Sequence, residues 1–138
     1  MARLPLAFFT TAVVYALCGM VFGAYMGMTE VFTLAPAHAH LNLLGWVTLA
    51  LMGAFYALAG DRAPVRLGWA NLIVSNLGVL VMIPALVRLL SGTRSASGLV
   101  IAGTVLTILG MLLFALAVAS LWVKAGAPSK ALGAAKAA

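Results

Sequence analysis

The two histidines of the chain stand two residues apart in His38-Ala-His40-Leu-Asn42-Leu-Leu-Gly45-Trp46, at the mouth of a long apolar segment. Neutral imidazole is a common ligand of metal ions and of haem iron. An ionisable side chain inside a bilayer costs insertion free energy, so by default it marks a functional site. Three uses fit the neighbouring residues. Haem b would take an imidazole from within a helix bundle, pack its macrocycle on faces of glycine and aliphatic residues, and set its propionates on Arg88 or Arg94. Copper would combine the histidines with the thioethers of Met26 or Met28, since soft sulfur suits Cu(I). The pair could also lie at headgroup level without any cofactor, as in an accessory subunit of a respiratory complex.

The elements that must position these groups are legible in the composition. Of 138 residues, 65% are hydrophobic and 7% are charged, where a soluble domain carries roughly 25% charged residues. Four apolar runs, at about 6–28, 37–59, 68–90 and 98–123, each approach the ~20 residues that cross a bilayer as a helix. The expected fold is therefore an all-α membrane bundle of four helices over residues 1–123, with a tail over 124–138. The first run is too long for a signal peptide and lacks its cleavage site, so it is read as a retained helix. Leu17 before Cys18 argues against a lipoprotein signal, and Cys18 is expected to be a small buried hydrophobe.

The net charge of +6 is spread singly over segment ends, which is a topology signal and not a nucleic-acid patch. Arg3, Arg62, Arg66, Lys124, Lys130 and Lys136 fall on one side, Arg88 and Arg94 on the other. Both termini are then expected in the cytoplasm and the tail over 124–138 is expected to be disordered at least near its end; the expected membrane is the inner membrane of a bacterium. The histidines, Glu30, Arg88 and Arg94 share the outer end. Two arginines against the general bias, at the depth of the histidines, ask for an anion.

Within the helices, Gly19, Gly23 and Gly27 recur every fourth residue with Tyr15 on the same stripe, a face for close packing. Thr33 is expected to cap the second helix and Pro36 to occupy its first turn. At about 100° per residue, His38, Asn42, Gly45, Leu49, Met52 and Tyr56 share a stripe directed into the bundle. His40 turns about 200° away, above Leu43, Leu44, Val47, Leu51 and Leu58. One regular helix therefore cannot bring both rings to one ion. Asn71, Ser75, Gly78 and Met82 line the third helix, where Pro84 frees the carbonyl of Leu80 and predicts a kink. Gly103, Thr107 and Gly110 form a second packing stripe on the fourth.

His40-Leu-Asn42-Leu-Leu, continuing to Leu51-Met52-Gly53-Ala54-Phe55-Tyr56-Ala-Leu58, resembles the second transmembrane helix of subunit I in the heme-copper oxidase superfamily, nearest the nitric oxide reductase branch. The resemblance implies that His40 is an axial ligand of a low-spin haem b near the outer face. In a haem site Asn42 and Trp46 would hydrogen-bond to the imidazole or the edge of the macrocycle. The wheel favours His38 instead, so both stand as ligand candidates. The family's subunit I has about twelve helices and several further histidines, and this chain has none beyond positions 38 and 40. A single copy lacks the ligands for that catalytic centre. Twelve helices arranged as three arcs of four lead to the expectation of a homo-oligomer, a trimer, with haem ligands offered within or between subunits.

Overall fold

Leucine, valine, isoleucine and alanine fill the four runs, and in a medium without water the helix is the form that satisfies every backbone group within its own segment. The computed structural model describes residues 3–126, and it is helical throughout apart from short turns. Four helices are long and apolar enough to cross a membrane, so this is a multi-pass membrane protein. We number them α1 (Arg3–Thr29), α2 (Phe32–Arg62), α3 (Val65–Leu90) and α4 (Ser97–Gly126). The turns are tight. Glu30 (φ 56°) ends α1, Gly60 (φ 54°) breaks the last turn of α2, and Gly92 (φ 99°) reverses the chain after α3. Lys130 and Lys136, and most of the tail, lie outside the described residues.

Successive helices antiparallel across the bilayer put His38, His40, Arg88 and Arg94 at one end and Arg3, Arg62 and Arg66 at the other. α1 packs along α2, and α4 packs along α3. The α3–α4 contact is the closest. A Cβ built on Gly103 would stand 2.6 Å from the Met82 backbone nitrogen, and one on Gly78 would stand 2.8 Å from that of Thr107. Gly110 meets Ser75 in the same way. Hydrogen-only positions let the two backbones touch, as small-residue stripes do where no hydrophobic driving force separates helix from lipid. α3 continues through Pro84, which stands exposed on its outer side.

The two hairpins meet through α3. Leu4 packs over Gly68, and the Tyr15 hydroxyl donates to Asn76 Oδ1 at 3.0 Å. Between α2 and α3 lies fully buried Asn71, whose Nδ2 donates to the Tyr56 hydroxyl at 3.2 Å and lies 3.6 Å from Met52 Sδ. Ser75 Oγ donates to its Oδ1 at 3.1 Å. α4 reaches α2 at one aromatic joint, Phe55 edge-on to Phe114 with centroids 5.0 Å apart. Phe8, stacked on Tyr56 at 5.3 Å, closes the same core from α1.

Two sequence expectations fail here. Cys18 is exposed, because the buried stripe of α1 runs Phe8, Ala12, Tyr15, Gly19 and Met26, and residue 18 falls about 100° from Gly19. Thr33 caps nothing. The chain re-enters the helix at Phe32, earlier than residue 37, as a 3-10 turn over Phe32–Leu34 that places Thr33 inside it with no side-chain cap. Pro36 does occupy the first turn of the α-helical part.

Candidate functional site

The second helix is not regular. After an α-helical stretch Ala35–His40, residues Leu41–Thr48 form a π-helix, and α-helix resumes over Leu49–Ala59. Bonds from i to i+5 widen the turn, and π segments concentrate at functional sites. The consequence is visible in burial: Ala37, Leu41, Gly45 and Leu49 all face inward at four-residue steps. A 3.6-residue turn would drift by about 40° at each such step. The wide turn keeps the stripe straight. Leu41 and not Asn42 thereby occupies the interior line, which corrects the stripe drawn at 100° per residue.

His38 and Asn42 are turned onto α1. A Cβ on Gly23 would stand 2.9 Å from His38 Cε1, and Gly19 lies directly under the Asn42 amide. The Phe22 ring meets the His38 ring edge-on, with centroids 5.9 Å apart. Asn42 Nδ2 donates to the His38 carbonyl at 2.9 Å and lies 3.4 Å from each of the ring nitrogens. The glycine stripe of α1 is thus a packing face, as expected, but its two inner sockets are filled by side chains of α2. They leave no bed there for a macrocycle. Gly27, the third glycine, touches nothing within 4 Å.

His40 points the other way. It is exposed on the outer face of α2, above Leu43, Val47 and Leu51, as the wheel required. Its Nδ1 lies 2.7 Å from the Pro36 carbonyl oxygen. A carbonyl only accepts, so Nδ1 carries the proton and, in the neutral ring, Nε2 presents a lone pair outward. An Nδ1–H bonded to a backbone carbonyl fixes the tautomer and orientation of an imidazole, the arrangement typical of ligating histidines.

The remaining candidates divide. Asn42 supports His38 and not His40, and Trp46, 45% exposed, is a partner of neither imidazole. Arg88, in the last turn of α3, and Arg94, opening the short turn Arg94–Ala96, are both exposed at the end that carries the histidines. Met26 is buried in the α1 face and Met28 is 80% exposed. Among the described residues no group of three or more His, Cys, Asp or Glu side chains gathers into a metal site. Of the two imidazoles, His40 is exposed, while His38 is packed against Gly23 and Phe22.

Sequence reasoning missed the Tyr56–Asn71–Ser75 network as a unit. Its signal was present: three polar residues at matching depth on the inward stripes of neighbouring helices. No family model matches the sequence, and no curated protein or solved structure matches it either.

Proposed function

We propose that this is an integral membrane haem b-binding protein of a bacterial inner membrane, with both termini cytoplasmic, that acts in electron transfer or in binding a diatomic gas. The observation that carries the reading is the outward Nε2 of His40, set by the 2.7 Å bond of Nδ1 to Pro36. The resemblance of His40-Leu-Asn42 and Met52-Gly53-Ala54-Phe55-Tyr56 to a haem-ligating helix of the heme-copper oxidase superfamily supports the same residue. A bound haem would supply a one-electron centre and could bind a diatomic gas.

The chain's own residues then have separate tasks. His40 would offer its Nε2 to the iron, and the Pro36 carbonyl holds the ring by accepting from Nδ1. Arg88 and Arg94 place positive charge at the same end, where carboxylates of a propionate type would lie. His38, packed on Gly23 under Phe22, keeps α1 against α2 and does not ligate. Because His40 faces outward, the site lies between copies of the chain, and a homotrimer is the oligomer this reading favours.

The test is the absorption spectrum of detergent-purified protein from haem-supplied cells, oxidised and then dithionite-reduced. Wild type and H38A should carry a b-type spectrum, and H40A should lose it. A wild type without haem, or an H40A variant with undiminished haem, would sink the assignment. Copper in the wild type by metal analysis, in place of haem, would transfer His40 to the copper reading.

A further inference from the structure

At the opposite end of the molecule, α2 and α4 part. α4 follows α3 along its glycine stripe, and its contact with α2 at the Phe55–Phe114 joint closes the gap at that depth. Beyond the joint, toward the end that carries Arg3 and Arg66, the gap widens into a cavity of about 410 Å³ lined by Phe55, Ala59, Arg62, Val118, Leu121 and Trp122. Ligand pockets run from ~300 to ~1,000 Å³. All of this lining but Arg62 is apolar or aromatic. Arg62 closes the short 3-10 turn at the end of α2, so its guanidinium sits at the level where the helix leaves the membrane. Trp122, 78% exposed, is the amphipathic ring that membrane proteins keep at this level.

We propose that this cleft is a binding site for one anionic phospholipid, its phosphate on Arg62 and an acyl chain laid between α2 and α4 down to the Phe55 ring. The occupant follows from the lining. A free phosphate would leave the apolar wall unused, and a hydrocarbon without a charged head would leave Arg62 unpaired. A zwitterionic head would bring its own cation toward the guanidinium, while an anionic head does not. Basic pockets between helices at a membrane surface take anionic lipid heads for this reason. The carboxylate of Asp61 precedes Arg62 in the turn but does not line the cleft. The site is independent of the haem reading, since it lies at the other end of the bundle from His40.

Trp122 serves as the reporter. In a W46F/W69F background, reconstituted in phosphatidylcholine vesicles, brominated phosphatidylglycerol should half-quench its fluorescence at a mole fraction about fivefold lower than brominated phosphatidylcholine does, the size of one basic residue's pull on an anionic head. R62Q should abolish that preference, and R66Q, whose side chain is exposed outside the cleft, should retain it. Equal quenching by the two lipids, or a preference that survives R62Q, would overturn the proposal. Should the background variant not fold, native mass spectrometry of otherwise unaltered protein decides. Phosphatidylglycerol adducts should persist on wild type and fall about fivefold in R62Q, and equal retention refutes the site.

Discussion

Replacing Gly103 by alanine tests how the α3–α4 hairpin is held together. The new Cβ would lie 2.5 Å from Met82 Cβ, 2.6 Å from its backbone nitrogen and 2.7 Å from its Cα, whereas ordinary contact begins at 3.4 Å. Two of these three atoms are backbone and cannot swing aside, so the helices must part by about 0.8 Å at this level. A radial gap of ~0.5–1 Å forfeits a quarter to a half of each dispersion contact it opens. The neighbouring contacts of Gly78 with Thr107 and Gly110 with Ser75 lie on the same seam and loosen with it. Overpacking of this kind costs about 1–3 kcal/mol. At roughly 3–5 °C per kcal/mol for a chain of this size, G103A should melt about 5–10 °C below wild type, followed by circular dichroism in detergent. G27A and G98A meet nothing within 4 Å and should melt at or above the wild-type temperature, since alanine is the better helix former. A G103A variant that melts with wild type would refute backbone contact as the basis of the seam.

Other perturbations address the site and the interior. N71L strands the Tyr56 hydroxyl and should cost about 1–2 kcal/mol in denaturant titration; Y56F in that background should cost nothing further, and full additivity would break the network. R88Q and R94Q should each lower the haem-to-protein ratio, and the double variant should lower it more; unchanged ratios would remove the arginines from the site. Deleting Val47 takes one residue out of the π segment, lets the wide turn relax to an α turn and keeps Leu49–Ala59 in phase, so stability should stay within about 1 kcal/mol of wild type. Deleting Leu112 from regular α4 rotates everything after it by about 100° and should unfold the hairpin; equal damage from both deletions would contradict the role of the π turn.

The four spans were legible because length and apolarity alone decide them, and the small-residue faces of α1, α3 and α4 were legible because regular helices obey one period. The second helix was legible only at its two ends. His38 and His40 on opposite sides of the first α-helical part, and Met52 with Tyr56 inside the second, follow a normal wheel. Between them the π turn changes the residues per turn, and nothing in Leu-Asn-Leu-Leu-Gly-Trp-Val-Thr announces that change, so Asn42 was placed one position off the interior line. The choice between His38 and His40 was likewise hidden in the sequence. It depends on a carbonyl at Pro36 and a socket at Gly23, both features of neighbours in space.

The sockets on α1 repeat every four residues, and so do the side chains that enter them: Asn42 in Gly19 and His38 in Gly23, with Gly27 left over. Two pegs and three holes define two seatings of the α1–α2 hairpin, four residues or about 6 Å apart. What selects the observed one is a peg running in the reverse direction, the Tyr15 ring against Gly45, where a Cβ would stand 2.8 Å from Cγ. The Tyr15 hydroxyl is in turn held by Asn76 of α3. The register that sets the height of His40 in the membrane is thus keyed by a tyrosine four residues before the first socket, Gly19, on a helix that carries no histidine.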